Sequence, residues 1–404
     1  MPGGAAHRRA LADRLTASGS LRSAPLRAAV EAVPRELFLR PGVFLPTEDG
    51  AWRPVVAENT KPTEWAAIAY RDESLVTQLD GHLTADQIAG HVRGFPTSSS
   101  TVPATVVGMI EALDLADDQS VLEIGTGTGY STALMCHRLG EDNVTSVEVD
   151  PEVAARADTA LEAVGYSTWT VTGDGLLGHP HRAPYDKVIA TCAVRRIPYT
   201  WVRQTSPGGI ILATVGSWSY GTGLAKLVVR GDGTAEGRII GPSSFMPARS
   251  QALPPLAGDL SARAAYAETE HRTSVGPDVL DEWMPAFLVQ LALPGVQVVR
   301  STAEDGEQTT YLFDTDQESF AALNHGPHGS GWTVRQGGPV ALWSTVEDTL
   351  TAWHRAGSPD IDAVHLRVTN RSHTYWIAAD PALRWEHRIP NTSATRGDAA
   401  FPPP

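Results

Sequence analysis

The chain has 404 residues, more than one typical domain of about 100 to 200, so two or three compact units are expected. Its 42% hydrophobic and 19% charged residues describe a globular protein, and no run of about 18 apolar residues exists to cross a bilayer, so no membrane partner is expected. Lys and Arg number 32 against 46 Asp and Glu, a net charge of −14 that weighs against a nucleic-acid partner held through its phosphates. A peptide or small molecule remains compatible, because such sites are set by local groups.

The opening MPGGAAHRRALADRL carries early charges and no apolar stretch behind them, so it reads as cytoplasmic rather than secretory. Residues 7–40 place Leu11, Leu15, Leu21, Leu26, Val30 and Phe38 at helical spacing. Residues 41–100 read as irregular, with a strand near 74–78 and a polar turn over 98–101, and a loop that long points to function. From Pro103 the signals sharpen. Helix 103–113, strand 120–124, helix 130–139, strand 144–149, helix 151–164, strand 168–172, strand 186–191, helix 198–204 and strand 209–215 follow in turn. That alternation predicts a doubly wound α/β parallel sheet covered on both faces. After about residue 230 the reading changes to α+β, with strands near 296–301, 308–313, 363–369 and 373–378 and a helix at 345–356. The expected division is 1–102, a helical and substrate-loop segment; 103–230, the core; 231–390, an α+β domain; and 391–404, a disordered tail.

The strongest constellation is Glu123-Ile124-Gly125-Thr126-Gly127-Thr128-Gly129-Tyr130, between a strand and a helix. Its glycines allow a sharp turn and close approach of a ligand, and the helix behind offers free N–H groups. Glu148, about 20 residues on at the end of the second strand, suits ribose hydroxyls, and Asp174 in Gly173-Asp174-Gly175 suits an adenine amino group at the same edge. The plainer readings are a solvent-facing strand end for Glu148 and an Asp-Gly turn for Asp174. Asp150 directly precedes Pro151 and reads as a helix N-cap rather than a ligand. Cys136 and Cys192 lie in no C-x-x-C or Cys/His pattern, so neither a disulfide framework nor a metal site is expected. His137, His179 and His181 are given no catalytic role. Arg195 and Arg196, after the fourth core strand, are candidate holders of an acidic substrate, with solvated surface arginines as the commoner alternative.

With GTGTGY, VEVD, TGDG, PYDKVIATCAV and SPGGIILATVG in this order, residues 10–230 resemble the class I S-adenosylmethionine methyltransferases, most closely the protein-L-isoaspartate carboxyl O-methyltransferases. Upstream, VPRELFL at 33–39 is similar to that family's VPRE-x-F-V segment, and Ala69-Tyr70 through Leu75 to its AY-x-D-x-x-L. The resemblance implies S-adenosyl-L-methionine as cofactor and S-adenosyl-L-homocysteine as product. It implies a cofactor site of Gly125, Thr126, Gly127, Thr128, Gly129, Tyr130, Glu148, Val149, Gly173, Asp174, Gly175 and Thr191. The family's T-I-S-x-P segment, whose hydroxyl touches the substrate carboxyl, corresponds to Ser98, Ser99, Ser100, Thr101, Val102 and Pro103, with Thr101 at the serine position. Thr101 and Ser100 are therefore the catalytic candidates, and Ser98 and Ser99 join the arginine pair as substrate-binding candidates. A polar turn capping the helix at Pro103 is the alternative. The inserted residues 83–96 and the altered serine segment are departures from the family.

The implied reaction needs no general base, since a carboxylate is ionised at neutral pH; alignment with the electrophilic methyl in a water-poor site suffices. The implied substrate is an aspartate or isoaspartate side chain in a peptide or protein. About 170 further residues favour a particular partner, such as a ribosomally made modified peptide of the lanthipeptide or lasso-peptide type, over general isoaspartate repair. A nucleic-acid amino methyltransferase, a nicotinamide dehydrogenase and a non-catalytic cofactor-binding module fit the motifs less well.

Overall fold

The computed structural model describes residues 4–219, 221–252, 262, 265–303, 306, 308–314, 318–325 and 331–389; the disordered-tail expectation falls outside them. The chain divides into two compact units, Met1–Val194 with Thr200–Val215 and Ser243–Ala252, and Arg195–Tyr199 with Gly216–Pro242 and Leu253–Pro404.

In the first unit, α1 (Gly4–Ala17) and α2 (Ala24–Ala32) bury Leu11, Leu15, Leu26 and Val30, the residues whose spacing predicts them. The following stretch is ordered, not irregular. β1 (Gly42–Pro46) and β2 (Trp52–Val56) form a hairpin, α3 spans Pro62–Ala69, and β3 (Leu75–Leu79) and β4 (Pro96–Ser100) complete an antiparallel sheet in the order β2-β1-β3-β4. β4 is the stretch expected to be a turn. Its Ser and Thr side chains show no apolar alternation, yet its backbone pairs with β3, Ser100 opposite Leu75 and Ser99 opposite Val76. The inserted residues connect β3 to β4 and bury Ala85 against Phe44, Val76 and Leu79.

The core follows the expected alternation: α4 (Pro103–Ala112), β5 (Val121–Ile124), α5 (Tyr130–Leu139), β6 (Val144–Glu148), α6 (Pro151–Ala163), β7 (Trp169–Thr172), β8 (Tyr185–Val194), α7 (Tyr199–Gln204) and β9 (Thr205–Val215). The parallel order is β9-β8-β5-β6-β7. β5 and β6 are buried at every position, the mark of a central strand covered on both faces. Ile124 lies opposite both Val147 and Ala190, so β5, β6 and β8 reach one edge together. Asp150 caps α6 as expected, Oδ1 accepting from the N–H groups of Glu152 (3.0 Å) and Val153 (3.2 Å).

The second unit is α+β, as the sequence predicts. β10 (Gly223–Val229) and β11 (Ala235–Pro242) pair antiparallel. β12 (Thr269–Thr273), α8 (Trp283–Ala292), β13 (Val296–Thr302), β14 (Gln308–Asp314), β15 (Ser319–His325), β16 (Trp332–Gly337) and α9 (Leu342–Arg355) follow. β17 (His365–Val368) pairs with β11, and β18 (Ser372–Trp376) and β19 (Arg384–Arg388) extend that antiparallel ladder. The five strands ordered β12-β16-β15-β14-β13 bury Leu312, Leu323 and Val334 against Val289 of α8 and Trp343 and Val346 of α9. α8 escapes a reading by periodicity because seven consecutive residues, 285 to 291, are all buried, leaving no polar face. Among the described residues, no helix is long and apolar enough to cross a membrane, and no group of His, Cys, Asp or Glu is placed to hold a metal ion.

Candidate active site

At the edge where β5 and β6 end beside β8, a pocket of about 390 Å³ opens. One wall is the glycine loop. Gly125 has φ +93° and Gly127 φ +55°, left-handed values that side chains resist. A Cβ on Gly125 would stand 2.9 Å from Thr191 Oγ1, and one on Gly127 would stand 3.6 Å from the Ser99 carbonyl oxygen, so the loop lies directly against β4. Thr191 Oγ1 donates to the Ile124 carbonyl (3.1 Å) and to that of Gly125, locking the loop to β8. Thr126 Oγ1 shares a 2.7 Å hydrogen bond with Ser146 Oγ. Beneath the loop the buried Glu123 carboxyl accepts from Ser131 and Thr132 (2.5 Å each) and from Ser146 (2.7 Å). Burial pushes its pKa up despite those three hydroxyls. One acid thus ties β5 to the first turn of α5 and to β6.

The second wall carries acids. Glu148 is buried, not solvent-facing: Oε2 accepts from the Gly127 N–H (2.9 Å) and Oε1 from the Asp150 N–H (3.1 Å). A carboxylate has about four acceptor sites, so both oxygens keep capacity for ligand hydroxyls. Asp174 Oδ1 accepts from the Leu176 N–H (3.0 Å) and Ser250 Oγ (3.1 Å). The half-buried Cys192 thiol is pushed up to about 12, first by burial and then by the charges of Glu148 and Asp174, so both carboxylates act on one volume. Val149, Gly175, Thr128 and Tyr130 also line the pocket. A Cβ on Gly175 would fall 2.5 Å from Ile124 Cγ2. Gly129 and Gly173 support from behind: Gly129 (φ +86°) starts α5, and the Gly173 N–H donates to the Glu148 carbonyl (2.8 Å).

β4 forms the third wall. Ser98 is buried and its Oγ accepts from Thr77 Oγ1 (3.2 Å). Ser99 and Thr101 are half-buried and line the pocket. Ser100 differs from expectation. Ser100 also lines the pocket, but it is buried and its hydroxyl accepts from Arg35 Nη2 (3.2 Å) and Nε (3.3 Å), a partner the sequence did not suggest. The helix-cap alternative is also corrected: α4 starts after Val102 with no side-chain cap, and the Ala104 N–H donates to Asp72 Oδ1 (2.8 Å) instead.

Arg195 and Arg196 do not line the pocket. β8 runs on to Val194, carrying the pair past the edge and into the second unit, where Arg195 Nη2 donates to the Pro294 carbonyl (3.5 Å) and the Arg196 charge reaches His373, Tyr375 and His387. Among the described residues, no histidine lines the pocket.

Two contributors escape sequence reasoning. Residues 244–250 line one side of the pocket, held by hydrogen bonds from the Ala193 N–H to the Met246 carbonyl (2.9 Å) and from the Ala248 N–H to the Ala193 carbonyl (2.8 Å). From that strap Arg249 Nη2 donates to Asp150 Oδ2 (2.9 Å). Burial would raise the Asp150 carboxyl, but Arg249 and the capping N–H groups outweigh it and hold it below the usual range. The other contributor is Arg35, the buried donor to Ser100. The strap has no motif of its own to announce it, whereas Arg35 lies within the VPRELFL segment, which carries no sign of its partners.

The glycine cradle, the paired carboxylates and the pocket's volume fit S-adenosylmethionine, whose ribose, amine and sulfonium favour acidic acceptors. When bound it supplies an electrophilic methyl group. The glycine loop, Glu148 and Asp174 are the residues that would hold it, and Ser99 and Thr101 line the same pocket.

The family model for protein-L-isoaspartate(D-aspartate) O-methyltransferase matches residues 62–253. The chain is 31% identical over 242 residues to the protein-L-isoaspartate O-methyltransferase of Ignicoccus hospitalis, spanning 59% of this chain and 96% of that protein. It is 40% identical over 148 residues to that of Anaeromyxobacter dehalogenans, covering 36% and 69%. A solved protein-L-isoaspartate O-methyltransferase aligns with a TM-score of 0.51 at 21% identity, covering 92% of this chain and 99% of that one, a likeness of fold. This chain belongs to the protein-L-isoaspartate O-methyltransferase family and is an S-adenosylmethionine-dependent carboxyl O-methyltransferase.

Proposed function

We propose that the enzyme esterifies an isoaspartyl side-chain or main-chain carboxylate within peptides and proteins, the repair reaction. The observation that supports this reading is the approach of β4 to the glycine loop, with Thr101 and that loop among the residues lining one pocket. A carboxylate oxygen attacks the methyl carbon as the carbon–sulfur bond breaks, and the sulfur leaves with the bonding pair. No proton moves, and no histidine is needed beside the acceptor. Thr101 donates to one carboxylate oxygen and orients the other; residues 244–250 and β4 exclude water. In the ester, attack by the neighbouring backbone amide nitrogen closes a succinimide and releases methanol, the amide proton leaving with the methoxide.

A second reading is a tailoring enzyme for a ribosomally made peptide of the lanthipeptide type, acting on one aspartate. It is favoured by two departures, Thr101 in place of serine and the inserted residues between β3 and β4. The second unit no longer adds weight to it, because the likeness to the solved isoaspartate methyltransferase covers 92% of this chain. Steady-state kinetics on a linear isoaspartyl peptide, its aspartyl twin and a thioether-cyclised aspartyl peptide separates the two. Preference for the isoaspartyl peptide is expected. Turnover confined to the cyclised aspartyl peptide would overturn the repair reading in favour of tailoring.

A further inference from the structure

Arg35 lies in the turn after Pro34, and its side chain is fully buried. Every nitrogen of its guanidinium is engaged. Nη1 donates to the carbonyls of Ala69 (2.7 Å) and Arg71 (2.9 Å). Nη2 donates to the carbonyls of Glu73 (3.3 Å), Ser100 (3.4 Å) and Thr101 (3.2 Å) and to Ser100 Oγ (3.2 Å), which Nε also reaches at 3.3 Å. All these acceptors are neutral. Burial draws the pKa down to about 10 and the Asp72 carboxylate works the other way, so the group remains a cation at neutral pH. Tyr130, whose ring lies 5.8 Å from the guanidinium carbon, is itself a pocket residue.

Such an arrangement is costly unless it is used, because a buried cation without a facing carboxylate has lost its hydration for dipoles alone. The planar fork fixes directions as well as distances, and here it joins residues 69–73 to the end of β4. Holding the Ser100 and Thr101 carbonyls sets the backbone from which the Thr101 hydroxyl reaches the pocket. Two N–H donors on Ser100 Oγ hold that side chain inward. In the register that places Thr101 at the serine of T-I-S-x-P, Ser100 takes the isoleucine position, where an apolar side chain would accept neither bond.

We infer that Arg35 is a positioning residue for carboxylate binding: it clamps Ser100 and Thr101 so that the Thr101 hydroxyl meets the substrate carboxylate, and its buried charge adds to the attraction for that anion. With every nitrogen engaged, the guanidinium itself touches no substrate. The inference rests on the reading of Thr101 as the substrate contact.

The test compares Arg35→Met, Arg35→Lys and Ser100→Ala in the full chain, with S-adenosylhomocysteine and a synthetic isoaspartyl peptide as probes. S-adenosylhomocysteine affinity should stay within about threefold of wild type, because the glycine loop is intact. Peptide KM should rise about tenfold or more in Arg35→Met, and less in Arg35→Lys, which keeps the charge and loses the fork. Ser100→Ala should shift KM in the same direction by a smaller factor. Amide exchange over residues 98–102 should quicken in both Arg35 variants while residues 121–135 stay protected. Lower melting temperature with unchanged peptide KM would reduce Arg35 to a structural residue and overturn the inference. Unchanged exchange over 98–102 in a folded Arg35→Lys protein would also overturn it. If Arg35→Met fails to fold, the other two variants decide. If wild-type enzyme methylates no isoaspartyl peptide, the proposed substrate falls, while the exchange comparison still decides whether Arg35 clamps β4.

Discussion

The two sides of the pocket are built in different ways. The proposed cofactor side centres on the glycine loop between β5 and α5, with Glu123 fastening the loop through three hydroxyls and Glu148 accepting from the Gly127 N–H. The substrate side is assembled from remote pieces, with β4 held by Arg35 from the N-terminal segment, Ser98 by Thr77, and the opening narrowed by residues 244–250. The first is a backbone device, rigid because glycine conformations and buried bonds leave it no alternative. The second is a side-chain device, so its geometry changes with single substitutions far from the chemistry. Cofactor binding should therefore be sensitive to changes in the glycine loop and its carboxylate partners, and turnover to polar substitutions around β4.

The most damaging change on the cofactor side is Gly125→Val. A left-handed φ costs a side chain about 1–2 kcal/mol, and the new Cβ would meet Thr191 Oγ1 at 2.9 Å. Titration calorimetry should show S-adenosylhomocysteine affinity reduced about a hundredfold or more, with circular dichroism unchanged. Glu148→Ala should follow, weakening binding by about 1.5–3 kcal/mol through loss of a charge-assisted acceptor. Wild-type affinity in that variant would remove Glu148 from the cofactor side. On the substrate side, Thr101→Val keeps the shape and deletes the hydroxyl. It should lower kcat/KM for an isoaspartyl peptide about tenfold, near 1.4 kcal/mol, with S-adenosylhomocysteine affinity unchanged. Parallel loss of both would place Thr101 in the shared framework instead. The smallest effect expected is that of pH. Tyr130 and Cys192 of the pocket, each pushed up to about 12 chiefly by burial, stay protonated, and a substrate carboxylate stays ionised, so kcat should be flat between about pH 6 and 8. A bell-shaped profile there would reveal a proton transfer that the account lacks.

The same contrast explains what the sequence made legible. Strand and helix signals announce the core because β5 and β6 are buried at every position and α6 has an Asp-Pro start. Gly125, Glu148 and Asp174 are readable because their spacing reflects one local geometry. β4 reads as a turn because Pro96 to Ser100 holds no apolar alternation, and only its pairing with β3 makes it a strand. Ser100 belongs to the hydroxyl segment that the motif marks, and its bonds to Arg35 are invisible there because the partner lies 65 residues away. The arginine pair was misplaced for a similar reason: β8 is longer than its apolar run, and a few more residues carry Arg195 and Arg196 away from the edge. Arg35 could be quoted as part of a motif, but its partners lie 34 to 66 residues away, a relation no local pattern carries.

The most direct test of the central claim is mass spectrometry of a synthetic isoaspartyl peptide incubated with the enzyme and S-adenosylmethionine bearing a labelled methyl group. The account predicts one labelled methyl on the isoaspartyl carboxyl, base-labile, then lost as labelled methanol as the succinimide forms, with aspartyl peptide accumulating over repeated cycles. A base-stable label on nitrogen, or no transfer to the peptide while S-adenosylhomocysteine still binds, would contradict it.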